Sequence, residues 1–291
     1  MLVEITSTIH VSNYCSLPVK CHFCGFAAGT SPEGYFQNFS RLSEDVKKAA
    51  ISIEKSGIKR VSLSAGYGNF SLILRALETV KEHTNLKVLI NVGGDLDKQK
   101  IKTLKSAGAD TICCNLETTN RELFQKLKPS DSFEQRLKVC FWIKEEGIEL
   151  SSGILLGIGE TEKDREAHIK LLKEIEAEEI PIMRFQPYRG TPLENKQPPP
   201  IPTLINLIKK VKNEINPKRI TIPFPTIDYN NLIEVIKAGA TNIATVIPEN
   251  YPFIVKGVAK PEAGILEKIL PLLSSANIKT NVKTREADAK L

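Results

Sequence analysis

Along the chain, runs of apolar residues alternate with longer segments in which apolar side chains recur at helical spacing between charged ones. The strand-like runs are 3–11 (VEITSTIHV), 60–65 (RVSLSA), 87–92 (KVLINV), 111–117 (TICCNLE), 148–156 (IELSSGILL), 180–188 (IPIMRFQPY), 219–225 (RITIPFP) and 242–247 (NIATVI). Between them lie helix-like segments at 43–57, capped by Ser43, and at 97–108, 132–147 and 162–179. Three of these connections pass through a glycine just before the next strand (Gly57, Gly108 and Gly147), as a helix turning back into a parallel strand requires. Eight strand–helix units in about 250 residues predict a single-domain α/β fold of the (β/α)8 TIM-barrel type, with a doubly wound open sheet as the alternative. The barrel is expected over 1–260, with 261–291 forming a final amphipathic helix and a polar tail. The Pro-rich stretch 196–203 is a rigid loop before the seventh unit.

Composition changes this picture little. The chain has 291 residues, 41% hydrophobic and 25% charged, with 40 Lys+Arg against 34 Asp+Glu for a net charge of +6. That excess is spread out, so charge argues for neither a nucleic-acid nor a membrane partner. No apolar run is long enough for a membrane span, and the N-terminus lacks a signal-peptide pattern, so a cytoplasmic location is expected.

The six cysteines are too sparse for a disulfide scaffold, but their placement carries chemistry. Cys15, Cys21 and Cys24 crowd into the loop after the first strand, the barrel rim on which catalytic residues of this fold sit. A structural zinc site takes four protein ligands, and the nearby His22 is poorly placed to complete one. Three thiolates instead suit a [4Fe–4S] cluster with one iron left open, and three buried structural cysteines are the plain alternative.

With Phe23 immediately before the third cysteine, this loop resembles the cluster loop of the radical S-adenosylmethionine (radical SAM) superfamily, although C-x5-C-x2-C is two residues longer than the usual C-x3-C-x2-C. Further motifs resemble those of the biotin-synthase-like branch: SSGILLGIGETEKDR (151–165), NLETT (115–119) and RGTPLE (189–194).

The resemblance implies that Cys15, Cys21 and Cys24 hold a [4Fe–4S] cluster, that its open iron binds S-adenosylmethionine, and that reductive cleavage yields a 5′-deoxyadenosyl radical. It implies cofactor contacts from Phe23, from Gly66, Tyr67 and Gly68 after the second strand, from Asn115 and Glu117 to the ribose, from Leu155 to the adenine and from Arg165 to the methionine carboxylate. Biotin synthase holds a second, sulfur-donating cluster deep in its barrel. The matching positions here carry no cysteine, the fifth-strand one being Ser151, which argues against sulfur insertion.

Strand alternation places Cys113 on the same face as Asn115 and Glu117, where it is a candidate hydrogen-atom donor or substrate contact, or a small lumen filler. Arg184, Gln186 and Tyr188 alternate onto one face of the sixth strand, with Met183 and Phe185 opposite, which points to a small polar substrate, anions included. Cys140 is expected in the core.

The long cysteine spacing and the bare barrel most resemble the archaeal HcgA (HmdB) group, associated with the iron-guanylylpyridinol (FeGP) cofactor of [Fe]-hydrogenase. That implies a radical step on a pyridinol precursor, with an electron donor such as ferredoxin or flavodoxin. The alternatives are sulfur insertion of the archaeal lipoyl synthase type, a methylornithine-synthase-type rearrangement, and a metal-binding scaffold barrel without turnover.

Overall fold

The structure, a computed structural model, describes residues 1–26, 39–253 and 263–282. Strands β1 (Leu2–Ser12), β2 (Arg60–Ala65), β3 (Lys87–Asn91), β4 (Thr111–Cys113), β5 (Glu149–Ser151), β6 (Ile154–Leu156), β7 (Glu179–Arg184), β8 (Arg219–Pro223) and β9 (Asn242–Ala244) follow one another around a parallel sheet. Pairing of β9 with β1, Glu4 opposite Asn242, closes it. β5 and β6 share one register against β7, so they form one barrel strand broken at Ser152–Gly153 and the barrel has eight positions. Closure excludes the open sheet.

The apolar runs overshoot the hydrogen-bonded strands. β4 ends at Cys113, and Glu117, at φ 64°, resumes contact with Ile154 one residue out of register. β7 ends at Arg184 rather than 188. The last run splits around Thr245 (φ 60°) into β9 and the short β10 (Val246–Ile247).

The outer layer holds α1 (Ser43–Lys55), α2 (Phe70–His83), α3 (Lys98–Ser106), α4 (Arg121–Leu127), α5 (Phe133–Glu145), α6 (Glu162–Glu174), α7 (Ile201–Glu214) and α8 (Leu232–Ala238). Four N-termini are capped by side chains: Asp97 on α3, Asn120 on α4, Ser132 on α5 and Thr161 on α6. Ser43 is no cap; it is the first helical residue, and Leu42 precedes it without a side-chain bond. Gly57, Gly108 and Gly147 have φ of 90°, 96° and 68°, the left-handed stop their placement predicts. The Pro-rich stretch leads into α7, with Pro200 at its N-cap.

Beyond the barrel, β11 (Gly264–Ile265) pairs with β10, and α9 (Leu266–Ser275) buries Leu266, Ile269 and Leu273 against the common core. β12 (Lys279–Thr280) then pairs with β1. Residues 261–262 and the tail 283–291 lie outside the described residues.

Strand alternation decides what faces the lumen. Ile5, Ile9, Val61, Leu63, Ile112, Ile180 and Ile182 point outward into the helix layer and form the main core. The inward positions are unusually small and polar for this fold, including Thr6, Thr8, Ser62, Ser64, Asn91, Ser151 and Thr221. A (β/α)8 lumen is ordinarily filled by bulky branched side chains. Small ones leave a cavity of about 360 Å³ running down from the rim.

Its floor is a charge network. Glu179 accepts from Arg60 Nη2 at 2.5 Å, Arg219 Nε at 3.1 Å and Thr221 Oγ1 at 2.7 Å. Arg219 also pairs with Glu149, which accepts from Thr111 at 3.2 Å. Burial opposes ionisation of Glu179, but its two arginines and the Thr221 hydroxyl hold its pKa below the usual carboxylate value. Every charged group in this floor is paired.

Candidate active site

The long β1 carries the chain to the rim, where Cys15, Cys21 and Cys24 lie half-buried on one loop. All three line a cavity of about 210 Å³ shared with Lys20, Gly66, Tyr67, Asn91, Asn115, Glu117, Lys128 and Arg136. Phe23, Cys24, Phe26, Ser64, Asn91, Asn115 and Glu117 also face the lumen cavity, so the two are continuous.

The loop is held from both sides. Lys20 Nζ donates to the Cys15 and Leu17 carbonyls at 2.5 and 2.6 Å, and His22 N to Leu127 O at 2.8 Å. The backbone of β2 presses against it so closely that a Cβ on Gly66 would stand 2.1 Å from Tyr14 O and 2.9 Å from Cys15 Cβ. Only glycine fits there. Asn69 Nδ2 ties this crossing together, donating to Tyr14 O and Gly66 O at 2.8 Å each.

Among the described residues no three His, Cys, Asp or Glu side chains form a preassembled cage for a single metal ion. The donor set nevertheless fits a cluster: three thiols around one cavity and, among the described residues, no fourth Cys or His lining it. Burial pushes the Cys21 thiol up to about 12, with Lys128 pulling it down, so this thiol stays protonated until a metal displaces the proton.

Cys113, Asn115 and Glu117 all line the lumen cavity, the last two beyond the end of β4, where strand alternation no longer places them. Cys114 and Cys140 pack in the outer core with no exposure. Asn115 holds its side-chain oxygen 3.4 Å from Cys113 Sγ, and its carbonyl accepts from Arg136 Nη1 at 2.9 Å. Glu117 is 7% exposed and its Oε1 lies 3.5 Å from Lys128 Nζ, while Oε2 has no partner. A buried carboxylate oxygen left open beside a cavity is a receptor for donors that a ligand brings. Phe23, Leu155, Ile158, Phe185 and Leu127 make a separate apolar cluster beside it, a flat surface suited to a base.

Two expected contacts need correction. Arg165 lines neither cavity. Its guanidinium bonds Glu160 at 3.0 Å and Glu162 at 2.5 Å. Glu160 is itself fixed by the N–H groups of Gly157, Ile158 and Gly159, so the turn that carries the motif captures Arg165. Gly68 also stands outside the cavity, against Ser16, with its N–H given to Asp95 at 2.9 Å. Gly66 and Tyr67 do line it.

The guanidinium that faces the cysteines is Arg136, in the first turn of α5, which the sequence reading missed together with Lys128, Asp131 and Asn91. It bonds Asp131 at 2.6 Å. Burial opposes its charge, but Asp131 and its other anionic neighbours more than offset this and raise its pKa. Its signal was a charged residue on the buried stripe Phe133, Arg136, Val139, Cys140, Ile143 of a helix whose N-terminus lies at the rim.

On the sixth barrel strand, Arg184, Gln186 and Tyr188 reach the lumen cavity, but not as one exclusive face. Glu179, Pro181 and Met183 set the inward alternation, and Phe185 also lines the cavity beyond the strand end. Past Arg184 the chain leaves the ladder, so the period of two no longer applies.

The radical SAM superfamily profile matches residues 9–172, more than half the chain. The chain belongs to the radical SAM superfamily. Over 97% of its length it is 48% identical to an uncharacterized protein of Methanocaldococcus jannaschii, covering 76% of that protein. It is 33% identical to the biotin synthase of Aquifex aeolicus over 66% of this chain and 59% of that enzyme, so it matches less than two thirds of that relative's length. The crystal structure of methylornithine synthase (PylB) shares the fold, with TM-score 0.84 and 21% identity over 99% of this chain and 85% of that one.

This radical SAM protein is therefore an iron–sulfur, S-adenosylmethionine-dependent enzyme, and the fold expected from its sequence is the one it has. Among the described residues no helix is long and apolar enough to cross a membrane.

Proposed function

We propose that this enzyme carries out a radical step on a small polar precursor in the assembly of the pyridinol part of the FeGP cofactor. The observation that supports it most is the lumen: a cavity of about 360 Å³ whose wall sets Thr, Ser and Asn side chains among apolar ones such as Leu89, Met183 and Phe185, with Cys113 as its one inward cysteine below the rim loop. Among the described residues Cys113 is the one cysteine of the lumen below the rim loop, too few for a second cluster of cysteine ligands, which argues against sulfur insertion and leaves the room to substrate. The C-x5-C-x2-C loop on such a bare barrel resembles the HcgA (HmdB) group, and that resemblance supports the reading.

When bound at Cys15, Cys21 and Cys24, the [4Fe–4S] cluster and S-adenosylmethionine supply a 5′-deoxyadenosyl radical for hydrogen abstraction. The chain's own part is placement. Glu117 and Asn115 offer acceptors to ribose hydroxyls, the Phe23–Leu155–Phe185 surface takes the adenine, and Arg136 and Lys128 supply positive charge beside the cysteines. Cys113, its thiol held protonated by burial, lies in the lumen where a product radical could take its hydrogen. A low-potential ferredoxin or flavodoxin is the electron donor in this reading.

The test is isotopic. Candidate ring precursors deuterated at each position are incubated anaerobically with the reconstituted enzyme, S-adenosylmethionine and reductant. Deuterium in 5′-deoxyadenosine from a pyridinol precursor supports the reading. Transfer only from a basic amino acid favours a methylornithine-synthase-type rearrangement, the second reading that a polar lumen with one cysteine accommodates.

A further inference from the structure

Charge bookkeeping across the lumen singles out one side chain. Of the charged residues lining it, Glu179 is saturated by Arg60, Arg219 and Thr221. Glu117 is paired with Lys128 on the wall nearest the cysteines. His10, whose Nδ1 is 2.8 Å from Ser64 Oγ, is kept neutral by burial and the nearby Arg41, its pKa lowered to about 4. What remains is Arg184, the one Lys or Arg among the described residues that faces this cavity.

Arg184 forms no ion pair among the described residues, and its one hydrogen bond runs from Nε to Pro199 O at 2.6 Å. The carboxylate whose field reaches it, Asp228, is taken up by Asn230 N and by the backbone and side chain of Asn231 at 2.7–3.2 Å. Among the described residues the Nη groups, the fork of the guanidinium, have no partner, and Arg184 lines the cavity.

The Pro-rich stretch explains why that fork is aimed. Pro199 is wedged between Arg184 and the turn at Gly157, where an added Cβ would lie 2.5 Å from Pro199 Cδ. A stiff segment with that little freedom fixes the carbonyl that holds Nε. The cavity is also lined by Gln186, whose Nε2 donates to Thr226 O at 3.4 Å, and by Thr245. Thr245 is a β-branched residue held at φ 60°, a strained conformation of the kind that gathers at ligand sites.

We propose that Arg184, braced by the Pro199 carbonyl, is the receptor for a carboxylate on the substrate. A single planar fork, with no second Lys or Arg among the described residues lining the cavity, matches a carboxylate bidentately, whereas a phosphate dianion would call for further positive charge. The methionine carboxylate of S-adenosylmethionine is the other possible occupant, but Arg184 does not line the cavity of Cys15 and Cys21, where Arg136 and Lys128 stand. This deepens the radical-enzyme reading by naming the substrate's charge class, and it is tested by binding, so that it stands or falls separately from turnover.

The experiment measures binding of pyridine-2-carboxylate, pyridine-2-carboxamide and 2-(aminomethyl)pyridine to the anaerobically reconstituted enzyme saturated with S-adenosylmethionine, by saturation-transfer NMR. The expected result is a preference of about tenfold or more for the carboxylate over its amide in the wild type. That preference should vanish in Arg184→Gln and persist in part in Arg184→Lys, with melting temperature and S-adenosylmethionine affinity unchanged. Absence of a carboxylate preference in the wild type, lack of any binding included, overturns the proposal. So does a preference that survives Arg184→Gln, or a loss of S-adenosylmethionine affinity in that variant.

Discussion

The floor and the rim of this barrel are both rich in buried charge, yet they are built on opposite terms. In the floor, Arg60, Glu149, Glu179 and Arg219 satisfy one another across four strands, and Glu179 spends both oxygens on protein donors. Nearer the rim, among the described residues, Glu117 keeps one oxygen without a partner and the Nη groups of Arg184 have none. Saturated charge builds a wall, and open valence beside a cavity receives a ligand. His168 shows that both conditions matter: its two ring nitrogens lack partners, but it lies fully buried on α6 and lines neither cavity. It is a cost to the fold and not a site.

The largest effect falls on the cysteine loop. Cys24→Ala should reduce 5′-deoxyadenosine formation to background and lower the iron content, with the apo protein melting close to the wild type, because the barrel is packed without the cluster.

Next comes the floor. Glu179→Gln leaves the buried Arg60 without a counter-charge and Arg219 with Glu149 alone, and thermal or urea unfolding should show a loss of about 3–5 kcal/mol. A near-neutral result would mean that the floor is not the electrostatic plug its geometry describes.

His168 gives a pH signature. Its folded pKa is lowered to about 3 by burial, against 6.5 in the unfolded chain, so the unfolded state takes up the proton first as pH falls. Its contribution is lost from pH 6.5 downward, reaching about 2 kcal/mol between pH 7 and pH 5. His168→Leu should reduce the slope of stability over that window in urea titrations by about half, because His10, its pKa lowered to about 4, keeps a similar contribution there.

The smallest change expected is also the cleanest contrast with Glu179. Glu117→Gln should weaken S-adenosylmethionine binding roughly tenfold through loss of charge-assisted hydrogen bonds, while leaving the melting temperature within a degree or two. Equal melting losses at Glu117 and Glu179 would erase the distinction between floor and rim.

Much of this was legible in the sequence because its signals are local. Eight apolar runs gave the strands, and the cysteine spacing placed three thiols on one rim loop. The ends of the strands were not legible, since strands buried on both faces read as continuous apolar runs, and the turn at Glu117 depends on a left-handed backbone that no glycine announces. Nor was the choice between two arginines. Arg136 and Arg165 both sit in first turns of barrel helices, and Glu160, pinned by three backbone N–H groups, draws the second away. That is decided by packing between segments rather than by spacing within one.

The central claim is a radical SAM barrel with one cluster at its rim and a lumen kept for substrate. Iron analysis of anaerobically reconstituted enzyme, paired with a 5′-deoxyadenosine assay under dithionite, tests it most directly. The account predicts about four irons per chain and nucleoside formation that Cys24→Ala abolishes. About eight irons, or no nucleoside above that variant, would contradict it.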